Sequence, residues 1–223
     1  MSSRRSNPLA ASITLITVLV AGSTLVLPSA CRVGGGHRMT ESVWKAKQIK
    51  LCLDTFAMDF DGEYPNEKSA RFFDFPPPKS SNDFFRQLHV TSNSDSERIH
   101  WVKDSPMCSE AKPDDVTSGG GEFDLTETLQ PGDNHWAYFN GLKNTNNPAL
   151  PIILDPYLPG TTSFDKNLWD GKVVLLRIDG SAKPEPLSRA GIILDEDGKN
   201  LLTTDSKVWT GATPDLRQPD PAP

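Results

Sequence analysis

The sequence predicts an α+β fold: an N-terminal hydrophobic helix, then an amphipathic helix packed on a small antiparallel sheet with long loops. Three observations predict it. Leu9 to Leu27 form an uncharged, mostly apolar run. Ala46, Ile49, Leu53, Phe56 and Phe60 recur at alternating steps of 3 and 4, which lays one apolar stripe along a helix. Lys172 to Ile178 is rich in Val, Leu and Ile and runs into Asp179-Gly180, a strand followed by a tight turn. The 223 residues thus divide into one N-terminal device and one soluble domain of ordinary size.

The first element is that device, residues 1–31. Arg4 and Arg5 precede the apolar run, which is just long enough to cross a bilayer at about 20 residues. The flanking positive charge would hold the start in the cytoplasm. Three readings share this outline. One is a cleaved secretory signal peptide, with Leu27-Pro28-Ser29-Ala30 as its exit. Another is a lipoprotein signal in which Cys31, after Ser29-Ala30, becomes the acylated terminus. The third is a helix that stays in the membrane.

Residues 32–40 read as a break, because Gly34-Gly35-Gly36 interrupts the helical pattern. Thr40 then supplies an N-cap, and the amphipathic helix runs from about Glu41 to Asp59, stopping at the Asp61-Gly62 turn before Pro65. Lys45, Lys47, Lys50 and Asp54 fall off its apolar stripe. From Asn66 to Gly121 the chain reads as irregular, apart from a short helix around Asn82 to Leu88 carried by Phe84, Phe85 and Leu88. Lys112 to Glu122, with Gly119-Gly120-Gly121, reads as a mobile loop.

Strands follow. Trp136 to Phe139 and Pro151 to Leu154 are short and aromatic or aliphatic. After Lys172 to Ile178, Asp179-Gly180 reads as a two-residue hairpin turn. Pro184 and Pro186 confine the returning strand to a sheet edge. Ile192-Ile193-Leu194 suggests a further strand. The head thus spans 41–210, and residues 211–223 read as a proline-rich disordered tail.

Composition narrows function. A formal charge of −6 without a Lys/Arg stripe argues against a nucleic-acid surface. No phosphate-binding glycine loop, dinucleotide fingerprint or nucleophile elbow is present, so no catalytic set and no cofactor are expected. Asp133-Asn134-His135 reads as a turn before a strand. Asp195-Glu196-Asp197-Gly198 has the alternating carboxylates and glycine of a calcium loop but lacks its first and last ligands, where Ile193 and Thr204 stand; an ordinary turn is the favoured reading. Zinc ligand spacing is missing from His37, His89, His100 and His135. Of the 3 cysteines, acylation of Cys31 would leave Cys52 and Cys108 to pair in an oxidising compartment. The other reading makes Cys52 a small buried helix residue.

Three segments carry a resemblance. Ser12-Ile13-Thr14-Leu15-Ile16-Thr17-Val18-Leu19-Val20 resembles the start of type IV pilin-like proteins and type II secretion pseudopilins. Thr14-Leu15-Ile16 match, while Ser12 stands at the family's glycine, Ile13 at its aromatic and Thr17 at its glutamate. Gln48 to Pro65, ending Asp61-Gly62-Glu63-Tyr64-Pro65, and Phe164 to Ser181 are similar to the helix end and closing strand pair of the pseudopilin-like proteins of planctomycetes and verrucomicrobia. The resemblance implies a pilin-like head and processing between Ser12 and Ile13. It also implies one N-terminal pass in the inner membrane with the head in the periplasm, and other pilin-like or secretion-apparatus subunits as partners. It implies no enzymatic activity.

Overall fold

The computed structural model describes residues 34–115, 118–119 and 122–223. The sites at Ser12, Ile13 and Cys31, like the apolar run itself, lie outside the described residues. Among those described, no helix is long and apolar enough to cross a membrane.

Helix α1 (Gly34–Asp59) is longer than the sequence suggests. The glycine triplet does not break it but forms its first turn. Glycine costs about 1 kcal/mol relative to alanine inside a helix, and α1 is held by packing further along, where Ala46, Ile49, Leu53, Phe56 and Ala57 are fully buried. Thr40 is therefore not a cap; its hydroxyl donates back to the Gly36 carbonyl at 2.9 Å. The stop is where the sequence puts it. Asp61 and Gly62 both take positive φ, 52° and 77°, and the Gly62 amide closes on the Ala57 carbonyl at 2.8 Å. Gly62 is also a close approach, since a Cβ there would sit 2.7 Å from the Asn144 side-chain oxygen.

Helix α2 (Glu67–Phe72) falls where the sequence reads as irregular. Asn66 caps it, accepting from the amides of Lys68 (2.8 Å) and Ser69 (3.1 Å), and the Ser69 hydroxyl accepts in return from the Asn66 amide at 3.0 Å. That reciprocal pair satisfies donors a six-residue helix otherwise leaves open. Helix α3 (Ser81–Val90) is the expected short helix, with Phe84, Phe85 and Leu88 fully buried.

Strands β1 (Ser118–Gly119) and β2 (Glu122–Phe123) form a small separate ladder inside the segment read as a mobile loop. The main sheet contains β3 (Ala137–Phe139), β4 (Pro151–Leu154), β5 (Lys172–Arg177), β6 (Ala182–Pro186) and β7 (Leu216–Arg217), in the order β6-β5-β4-β3-β7 with every pair antiparallel. The proline-bearing β6 lies at an edge, as its missing donors require. The β5–β6 connection is not a two-residue turn. Only Gly180 of the pair has positive φ (81°), and the Arg177 amide reaches the Ser181 carbonyl at 2.9 Å, so a glycine bulge follows an ordinary turn. Ile193 and Leu194 make isolated bridges to Leu187 and Asn200 rather than a strand.

Residues 211–223 are not a disordered tail. They supply the other edge strand, β7, and then run back across the head. Gln218 and Asp220 carbonyls accept from the amides of Ser81 (2.9 Å) and Gly132 (3.0 Å), while the Ala222 amide donates to the Met107 carbonyl (3.1 Å). The α1 stripe, α3 and the sheet share a single hydrophobic core with Trp136, Trp169 and Trp209.

Candidate assembly face

One face of α1 is spent on the core, and the opposite face carries three large apolar side chains among Glu41, Lys47 and Thr55. Trp44, Leu51 and Met58 are 60%, 68% and 80% exposed. They are spaced by seven residues, and at 3.6 residues per turn each step drifts by only about 20°, so the three span about 40° of the helix. They make a straight apolar line about 21 Å long at 1.5 Å per residue. Scattered exposed apolar residues are ordinary; three aligned on the helix opposite its core stripe make a patch that another surface can cover.

Side chains flanking this face tie the helix to the head. Lys45 donates to the Trp101 carbonyl at 2.8 Å, lies over the Trp101 ring at 5.5 Å and pairs with Glu41 at 2.9 Å, and its hydrogen bond holds the Glu41 carboxyl below its usual range. Lys50, which the sequence places off the stripe, is only 8% exposed. It pairs with Asp54, which also accepts from the Tyr64 hydroxyl at 3.2 Å. Arg38 pairs with Asp104 beyond the helix. Of the exposed cations along α1, Lys47 alone lies inside the apolar line, between Trp44 and Leu51.

At its C-terminal end the line meets an aromatic cluster. Phe56 and Phe60 stack at 4.2 Å, and Phe60 makes edge contacts with Phe72 (5.8 Å) and Phe73 (5.6 Å). Phe72 is 74% exposed. Offset and edge-on geometries of this kind fix ring orientation.

The other residues that the sequence singles out fall elsewhere. Cys52 and Cys108 are free thiols and form no bridge. Each is half-buried in its own setting, Cys52 on α1 beside Ser94 and Cys108 in the turn after Ser105, and burial pushes both up to about 11. The Asp195 carboxylate is occupied by the amides of Asp197 (2.9 Å) and Lys199 (2.8 Å), and Asp197 pairs with Lys207 at 2.8 Å. This is the ordinary turn. Among the described residues, no group of three or more His, Cys, Asp or Glu is disposed to hold a metal ion.

One arrangement the sequence did not reveal is a buried Ser–His–Asp chain. His135 Nδ1 lies 2.7 Å from Ser105 Oγ and Nε2 lies 2.7 Å from Asp155 Oδ1. The second Asp155 oxygen accepts from the Val174 amide on β5 at 2.7 Å. It has the residue order of an acyl-transfer triad, but with the ring nitrogens exchanged, serine at Nδ1 and carboxylate at Nε2. Its setting differs as well: Ser105 is 7% exposed, and its hydroxyl also accepts from the Met107 amide at 3.1 Å, so the hydroxyl is committed within the fold. The chain ties the 105 turn to the segment before β3, the residue after β4 and β5. The three residues are 20 to 50 positions apart in sequence, so no local motif announces them.

No family model matches this chain, and no curated protein or solved structure matches it significantly.

Proposed function

We propose that this chain is a non-enzymatic, membrane-anchored pseudopilin-like subunit of a type II secretion or pilus-like apparatus in a bacterial envelope. The N-terminal apolar run holds it in the inner membrane, the head lies in the periplasm, and the outer face of α1 meets other subunits. The observation that carries this reading is the two-sided character of α1. One side enters the core beside an antiparallel sheet, and the other presents Trp44, Leu51 and Met58 to solvent. The α+β arrangement agrees with the resemblance at Gln48–Pro65 and Phe164–Ser181. The rival reading is an envelope lipoprotein acylated at Cys31.

The test is the mass of the N-terminal peptide of the protein recovered from the membranes of its own bacterium. A peptide beginning at Ile13, methylated or not, supports the pseudopilin-like reading. One beginning at an acylated Cys31 overturns it in favour of the lipoprotein.

A further inference from the structure

Where α1 ends, its last turn, the following turn and α2 enclose an open cavity of about 460 Å³ with an aromatic floor and an acidic rim. The floor is Phe60, Phe72 and Phe73, mutually edge-on at 5.2 to 5.8 Å. The rim carries Asp59, Asp61 and Glu63 against one cation, Lys68. Glu63 is already engaged, pairing with Lys143 at 2.9 Å and accepting from Asn66 at 3.1 Å, with Lys68 3.8 Å away. Asp59 and Asp61 have no hydrogen bond or ion pair from a side chain among the described residues. The groove therefore combines ring surfaces, two uncommitted carboxylates and an exposed apolar wall at Phe72.

A neutral apolar ligand would use the rings but strand the carboxylates in partly desolvated positions. An anion would be repelled. A cation on an apolar stem uses every feature: the charge sits near ring surfaces and carboxylates, and the methylenes lie along Phe72 and Phe73. We propose that this groove docks an arginine or lysine side chain from a basic segment of a partner protein. The docking is separate from membrane anchoring and from the Trp44–Met58 line, and it stands whichever way the N-terminus is processed.

The experiment uses the full chain in detergent micelles with ring-labelled phenylalanine, titrated with N-acetyl-arginine methylamide and, separately, with its uncharged norleucine counterpart. Saturable shifts of the Phe60, Phe72 and Phe73 ring signals are expected with the arginine probe and not with norleucine. Phe72→Ala, at an exposed position, and Asp61→Asn, which keeps a residue tolerant of positive φ, should each weaken binding about fivefold, within the range of one exposed cation–π or charge contact. Equal response to norleucine would reduce the groove to a plain apolar surface and overturn the proposal. So would no saturable shift with arginine, or unchanged binding in Asp59→Asn/Asp61→Asn.

Discussion

His89 and His100 lie side by side in the interior, ring centroids 5.4 Å apart, and their four ring nitrogens find no well-formed hydrogen bond among the described residues. His89 lies in the last turn of α3 and His100 follows a 3-10 turn (Glu97–Ile99), with Phe85 packed 4.8 Å from the His100 ring. Burial drives His89 down to about 4, and burial with its neighbour drives His100 well below its ordinary value. Glu97, 1% exposed, goes the other way. Burial, with Asp133, Asp114 and Asp115 nearby, pushes it up to about 7 although the Leu129 amide donates to it.

These groups set a pH dependence whose sign can be worked out. Between about pH 4.5 and 6.5 the unfolded chain protonates both histidines and ionises Glu97, while the folded chain does the reverse at all three. The unfolded state then binds one more proton net, so stability rises with pH by about 1.4 kcal/mol per unit in that window. The histidine contribution is full above the ordinary histidine range and is lost as pH falls toward 4. Urea midpoints at pH 5 and 6.5 check this. Glu97→Gln removes the opposing group and should steepen the slope to about twice that value; a slope unmoved by it would mean that Glu97 is ionised in the folded state.

A second expectation concerns the Ser105–His135–Asp155 chain. In His135→Ala the Asp155 carboxylate, 4% exposed, keeps only the Val174 amide. Leaving a buried charge without its partner costs about 3 to 5 kcal/mol. Ser105→Ala removes a hydroxyl at the end of the chain and should cost only about 1 kcal/mol. Chemical denaturation ranks the two. A serine-directed fluorophosphonate that labels Ser105 in the folded protein would contradict the enclosed setting of that hydroxyl.

The C-terminal segment is a third place to look. Gly132 has φ of 94°, and a Cβ there would collide with the Ser109 hydroxyl and approach Ala222 at 3.1 Å. Gly132→Ala should therefore destabilise by about 1 to 3 kcal/mol and loosen the strap at Ala222. Hydrogen exchange at Ser81, whose amide is held by the Gln218 carbonyl at 2.9 Å, reports whether the strap lifts. Gly180→Ala is the comparison. It also has positive φ, but its Cβ would meet nothing within 4 Å, so it carries the backbone cost alone.

Elements set by local pattern are legible in the sequence. The core side of α1 follows from the spacing of Ala46, Ile49, Leu53 and Phe56, and β4 and β5 follow from aliphatic runs. Elements held by distant partners are not. Leu216–Arg217 is two residues among prolines, and only its pairing with Tyr138 and Phe139 makes it a strand. Six-residue α2 depends on an Asn66–Ser69 cap that lacks the acidic third residue of the usual signature. His89, His100, Ser105, His135 and Asp155 each look ordinary in sequence, because their chemistry comes from neighbours that folding supplies. The outer line of α1 is an intermediate case. Trp44, Leu51 and Met58 stand at seven-residue steps, but only the burial of the other stripe shows which apolar set stays outside.

That outer line gives the most direct test of assembly. Leu51 sits at its middle, 68% exposed, and Leu53, two residues on, is fully buried in the core. Leu51→Asp should leave the head's stability within about 0.5 kcal/mol, as exposed substitutions do. Leu53→Ala should cost about 2 to 5 kcal/mol through lost burial and the cavity left behind. The pair separates a folding defect from an interface defect. In cells, chemical cross-linking of envelope preparations should capture wild type in higher-mass species and Leu51→Asp only as the single chain, although the variant accumulates normally. Leu51→Asp that cross-links like wild type would show that α1 offers no interface. One as unstable as Leu53→Ala would show that the outer face is covered within the protein itself.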